Sequence, residues 1–165
     1  TTESGYEVVK TNTMDDFSLQ PGVPNAYGLI GNEANSIAPR KRPLSSMSPT
    51  IVLDDRGVRL AAGASGGPLI ISATLQTVLD VVDFDLGVDD AVNAARVHHQ
   101  WLPDVLTVEE RLPEITRSSL ERRGHTLRTI PAIAAVQAVA RRSENGEARL
   151  SAASDARKGG VAAAY

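Results

Sequence analysis

Cysteine is absent from this sequence. That removes a thiol nucleophile, a cysteine zinc site and a disulfide framework, without fixing the compartment. Aromatic residues make up only 4% of the chain, and neither sign of charge dominates: 17 Lys and Arg against 20 Asp and Glu leave a formal net charge of −3. Nucleic-acid binding needs a concentrated positive surface, so no such partner is expected. The densest basic cluster, Arg40-Lys41-Arg42, has no interleaved aromatics and reads as a solvated loop. Long apolar runs are missing too. The longest, around Leu69 to Val82, is interrupted by Ser72, Thr74, Gln76, Thr77 and Asp80, so no bilayer span is expected. The N-terminus lacks the charged-then-apolar pattern of a signal peptide. It opens on Thr1-Thr2 without an initiator methionine, which fits either a cloned boundary or a proteolytic one.

What is present is enough for a core. With 165 residues, 42% of them hydrophobic, the chain suits one domain or one compact piece of a larger protein. Tyr6 to Thr11 (YEVVKT) is β-branched and aromatic, a strand pattern. Residues 21–43 are rich in Gly, Pro and Asn and read as a long ordered loop, the kind usually kept for function. Thr50 to Leu53 and Val58 to Ala62 flank Asp54-Asp55-Arg56-Gly57, which predicts a hairpin. Apolar residues Leu69, Ile70, Leu75, Val78, Leu79 and Val82 recur near helical spacing, so a buried helix starts close to Gly67-Pro68. A shorter helix is expected over Val88 to Ala95. Another is expected over Pro113 to Arg123, where Glu114 in the first turn and Arg122 and Arg123 in the last complement the helix dipole. His125 to Ile130, Ile133 to Arg141 and Ala148 to Ala153 read as antiparallel strands closing a sheet, the last two joined by a turn at Glu144 to Glu147. No repeat or low-complexity tract appears. The fold class is α+β, with helices layered on a sheet.

Several residues could carry chemistry. Thr1 stands at a chain start, where the free α-amine, with a reference pKa of about 7.7–8.0, can serve as the base its hydroxyl needs; equally, every chain begins somewhere. Gly66-Gly67 before Pro68 allow close backbone approach, and their N–H groups could hold an oxyanion or simply turn the chain into a helix. No Gly-Lys-Ser/Thr follows to make a phosphate loop, and no Gly-x-Ser-x-Gly elbow occurs. Asp15-Asp16 could bind an ammonium group or cap a turn. Ser45-Ser46 lie between Pro43 and Pro49, and both hydroxyls reach one carboxylate only if the chain bends there; otherwise they are surface turn serines. His98-His99 share a face on neither a helix nor a strand and lack a spaced partner, so they read as a polar corner beside Trp101 and Pro103, not a metal site.

The segments "MDDFS", "PGVPNAYGL", "KRPLSSMSPTIV", "GGPLIISATLQ", "AVNAARVHHQWLPD" and "ASDARKGGVAAAY" occur in this order. Together they resemble the small, C-terminal subunit of the gamma-glutamyltransferase (gamma-glutamyltranspeptidase) family over nearly the whole chain, from about Asn12 to Tyr165. The resemblance implies an N-terminal-nucleophile hydrolase: a four-layer αββα sandwich, residues 1–165 being the small catalytic subunit and the other layers coming from a large subunit cut from the same precursor. It implies Thr1 as nucleophile and Gly66 and Gly67 as oxyanion donors. It also implies Ser45 and Ser46 on the glutamyl α-carboxylate, Asp16 on the α-ammonium, and a lid over residues 21–31 with Tyr27 as its gate. Glutathione and related γ-glutamyl amides would be substrates, water or an amino acid the acceptor. No metal or cofactor is implied, and the compartment is periplasmic or extracellular. Related acylases of cephalosporin side chains or of poly-γ-glutamate, or a non-catalytic γ-glutamyl-binding subunit, are the alternatives. The sequence departs from the pattern in having Glu3 where the family has His, Thr13 before Met14, "GASGG" for "GSPGG", and no Thr-x-Asn segment between Thr1 and Met14.

Overall fold

The computed structural model describes residues 16–144 and 147–163. They form two compact units, one ending at Ser45 and the other running from Ser46. Thr1, the strand expected over Tyr6 to Thr11, Asp15, and Asn145-Gly146 of the expected turn lie outside the described residues.

In the first unit the backbone is tied mostly by turns and loop hydrogen bonds. Its segment 22–31 closes on itself: Gly22 N–H donates to Gly31 C=O (2.9 Å) and Asn25 N–H to Leu29 C=O (2.8 Å). The Asn25 carboxamide oxygen accepts from both Tyr27 and Leu29 N–H groups at 2.9 Å, the local turn chemistry that asparagine favours. A short 3-10 helix, Glu33–Asn35, follows, capped by the Asn32 side chain.

Among the described residues, the second unit holds the regular strands and α-helices: β1 (Thr50–Asp54), β2 (Gly57–Ser65), α1 (Leu69–Val82), α2 (Val88–Asn93), β3 (Val97–His98), β4 (Leu106–Glu109), α3 (Glu114–Arg122), β5 (Leu127–Ile130), β6 (Ala135–Glu144) and β7 (Glu147–Ser154). An antiparallel sheet runs in the order β1-β2-β6-β7. Its rows alternate as a pleat requires. Ala62, Ala138 and Ala153 of the row that begins at Thr50, and Leu60 and Ala140 of the next row but one, face α1 and α2 and form the core with Ala73, Val81, Val88, Ala91 and Val92. The intervening row, Ile51–Ala61–Val139–Ala152, lies on the other face, where Ile51 is 67% and Val139 45% exposed.

Two expectations need correction. The strand expected at His125 to Ile130 does not close the antiparallel sheet. As β5 it pairs parallel with β4 in a second, three-stranded sheet, β3-β4-β5. A parallel neighbour needs a crossover, and α3 supplies it between β4 and β5. The helix expected at Gly67-Pro68 does begin there, but its buried side is Ile70, Ala73, Thr74, Thr77 and Val81, while Leu75 is 55% exposed. Small Ala and Thr side chains let α1 lie close on the sheet, and that spacing outweighs the larger leucines.

Candidate active site

Strand β2 leads directly into α1 through Gly66, Gly67 and Pro68, and the turn depends on both glycines. Gly66 adopts φ +142° and Gly67 φ +59°, conformations that L side chains avoid. The Gly66 carbonyl accepts from Leu69 N–H (3.3 Å) and the Gly67 carbonyl from Ile70 N–H (3.1 Å), so both oxygens serve the first turn of the helix. Their own N–H groups take no backbone acceptor among the described residues. Pro68, at φ −64°, is set for helix entry and brings no further donor. A Cβ placed on Gly66 would fall 2.8 Å from the Ala134 Cα. Ala134 therefore lies against the turn where the β2–β6 register, ending at Ser65↔Ala135, would put it.

The same hairpin brings the serine pair's neighbours to the glycine pair's neighbours. The β1–β2 register pairs Thr50 with Ala62, so the chain before β1 runs back alongside the end of β2. Met47, Ser48 and Pro49 line one open cavity of ≈ 560 Å³ together with Gly63, Ala64 and Ser65, and Gln137 and Lys158 complete its polar wall. Lys158 Nζ reaches Ser65 Oγ at 3.4 Å, next to Gly66. Ser46 is half-buried and its carbonyl accepts from Ser48 Oγ at 3.1 Å.

Ser46, Gly66 and Gly67 thus belong to the second unit. Ser45, which is exposed, Asp16 and Tyr27 belong to the first. Asp16 is half-buried and its backbone carbonyl accepts from Asn35 Nδ2 at 2.7 Å. Tyr27 is 45% exposed at the tip of the closed 22–31 segment. The histidine pair does divide its partners: His98 Nδ1 meets Ser72 Oγ at 2.8 Å, whereas His99 Nε2 meets Asp104 Oδ1 at 3.1 Å.

Sequence reasoning missed a buried charge cluster behind the turn. Glu109 and Asp155 are fully buried, and the Arg157 guanidinium bridges them, with Nε 2.5 Å from Glu109 Oε1 and Nη1 2.9 Å from Asp155 Oδ1. Arg96, itself buried, adds Nη1 to Asp155 Oδ2 at 2.8 Å. Arg111, partly exposed, adds Nε to Glu109 Oε2 at 3.1 Å, and paired charges with further backbone partners meet the conditions under which buried charges are tolerated. The signal available was Arg96 in "NAARV" and Asp155 and Arg157 in "SDARKGG", charges embedded in otherwise apolar or small-residue stretches.

Comparison with known proteins agrees with this architecture. The gamma-glutamyltranspeptidase family profile matches residues 2–165. The glutathione hydrolase proenzyme of Escherichia coli K12 is 48% identical over 137 residues, covering 83% of this chain and 23% of that proenzyme. The chain therefore spans about a quarter of the length of the curated relatives it matches. Among solved structures, a Helicobacter pylori gamma-glutamyltranspeptidase mutant superposes with TM-score 0.83 at 40% identity, covering 96% of this chain and 86% of that one. The Pseudomonas nitroreducens enzyme complexed with L-DON gives TM-score 0.81 at 38% identity, covering 100% and 86%. With the profile matched over residues 2–165 and the structures alike throughout, this chain belongs to the gamma-glutamyltranspeptidase family.

Proposed function

We propose that this chain is the catalytic small subunit of an N-terminal-threonine hydrolase and transferase that cleaves the γ-glutamyl amide of glutathione and related compounds. The observation that carries the reading is the Gly66–Gly67 turn, whose carbonyls serve the helix while its N–H groups take no backbone acceptor among the described residues, and whose neighbour Ser65 lines an open cavity. Thr1 Oγ attacks the γ-carbonyl carbon while the Thr1 amine, directly or through water, takes the hydroxyl proton. The carbonyl π pair moves to oxygen, and the glycine N–H groups stabilise that oxyanion, each donor worth about 2.7–4 kcal/mol. Collapse breaks the C–N bond, the departing amine receives the proton, and a γ-glutamyl ester remains on Thr1. Water or an amino acid's amine then attacks the ester, releasing glutamate or a new γ-glutamyl amide and returning the proton to Oγ.

Substrate choice rests on gripping a zwitterion at both ends. Ser45 and Ser46 take the α-carboxylate and Asp16 the α-ammonium; charge-assisted bonds of this kind are about twice as strong as neutral ones. Tyr27, on the closed 22–31 segment, acts as the gate that excludes water. The outer sheet row with exposed Ile51 and Val139 is the face that a second sheet, from the large subunit of the same precursor, covers to complete the αββα sandwich. Proenzyme relatives support processing from a precursor. Among the described residues no helix is long and apolar enough to cross a membrane; we place the mature protein in the periplasm or outside the cell.

The test is turnover of a chromogenic γ-glutamyl anilide by the protein matured from its full precursor. Thr1→Ala, made so that both subunits are still present, should lose more than about tenfold. A smaller loss contradicts the assignment.

A further inference from the structure

A side chain at Gly66 would strike the backbone Cα of Ala134, and Ala134 holds an uncommon conformation to be there. Its φ is +55°, left-handed backbone that costs an alanine about 1–2 kcal/mol. Something must hold it, and the neighbouring backbone shows what does. On one side Ile133 N–H donates to Glu109 Oε1 at 2.8 Å and Ile133 C=O accepts from Arg96 Nη1 at 3.1 Å. On the other, Val136 N–H donates to Asp155 Oδ2 at 2.7 Å. Arg157 ties those two carboxylates together, with Nη2 2.7 Å from Glu109 Oε2 besides the contacts given above. Arg96 N–H also donates to Glu109 Oε2 at 3.0 Å. A buried network of ion pairs thus clamps the strand entry at three backbone points within four residues. The next residue along, Lys158, meets Ser65 Oγ immediately before the glycine turn.

We infer that Glu109, Asp155 and Arg157, acting through Ala134, are positioning residues that set the Gly66–Gly67 turn in its donor geometry. The inference rests on the reading of those glycines as oxyanion donors. Pure stabilisation would need no strained residue at the contact. Here the left-handed backbone and the clamp coincide at the residue that leaves no room for a Cβ on Gly66, and a small displacement there moves both N–H groups relative to the reacting oxygen. Because an oxyanion exists only past the ground state, a misplaced turn lowers kcat and leaves KM nearly alone.

Two substitutions decide it in the protein matured from the full precursor. Ala134→Gly removes the methyl group and frees the backbone beside Gly66 from its left-handed restraint, so folding is retained. Glu109→Asp keeps the charge but shortens the reach to Ile133 N–H. Both should lower kcat on a γ-glutamyl anilide about tenfold or more, with KM within about twofold, and both should speed amide hydrogen exchange in the segment 63–70. If Glu109→Asp fails to mature, Ala134→Gly alone gives the answer. Wild-type kcat in a folded Ala134→Gly variant overturns the proposal, as does unchanged exchange in 63–70. Should the wild-type protein cleave no γ-glutamyl amide at all, the functional reading fails instead, and the exchange measurement alone then decides whether the clamp controls the turn.

Discussion

A methyl group added at Gly66 has nowhere to go, since it meets backbone at Ala134 on one side and a φ of +142° on the other. Gly66→Ala should cost about 1–3 kcal/mol of stability from backbone strain. It should lower kcat by about a hundredfold, the loss typical of one misplaced oxyanion donor; a thermal melt and a steady-state assay check the pair. Asp80 offers a test of a different kind. Burial in α1 raises its carboxyl pKa above the ordinary value, and the Arg96 charge pulls it back only in part. A carboxyl raised in the folded state binds its proton more tightly there. Its contribution is therefore favourable at pH below the ordinary carboxylate value and is lost as pH rises through the raised one. Asp80→Asn should be more stable than wild type at neutral pH, with the difference vanishing as pH falls below the carboxylate range, measured by denaturant midpoints across that window.

At the scale of elements, the 22–31 segment stands on its own hydrogen bonds, and two of them end on one side-chain atom. Removing the Asn25 oxygen with Asn25→Ala withdraws both, each worth about 0.5–1.5 kcal/mol. Faster amide exchange at Tyr27 and Leu29 with a raised KM and little change in global melting is the expected result. Elements of this kind were well marked in the sequence. The hairpin around Asp54 to Gly57, the helix entry at Gly67-Pro68 and the helix following Pro113 all carry turn or capping chemistry that is local, and each stands within a few residues of where the pattern puts it. What the pattern hid is non-local. Strand β4 is a four-residue run, Leu-Thr-Val-Glu, buried throughout, with no alternation to reveal it. Its parallel partner β5 is set by a crossover that no local signal announces. The face of α1 was misread because Ala73 and Thr77 take the core, close to the sheet, at the expense of Leu75. Likewise Gly66, Gly67 and the serine pair stand out as motifs, whereas the Glu109–Arg157 and Arg96–Asp155 pairs join residues 48 and 59 positions apart.

On the scale of the whole molecule, α1 and α2 pack on one face of the four-stranded sheet, and the row with Ile51 and Val139 lies on the other. Ile51→Glu should leave this chain folded, because the side chain already points away from its core. On the proposed two-subunit assembly it should block stable association with the remainder of the precursor, since an unpaired carboxylate would be buried there at a cost of several kcal/mol; co-purification from the expressed precursor reads this directly. The proposed chemistry of the whole assembly turns on one hydroxyl, that of Thr1. Intact-mass and peptide mapping after incubation with a γ-glutamyl affinity label should place a single adduct on the peptide that begins with Thr1, with loss of turnover in step. An adduct confined to any other residue, or full inactivation with Thr1 unmodified, contradicts the account.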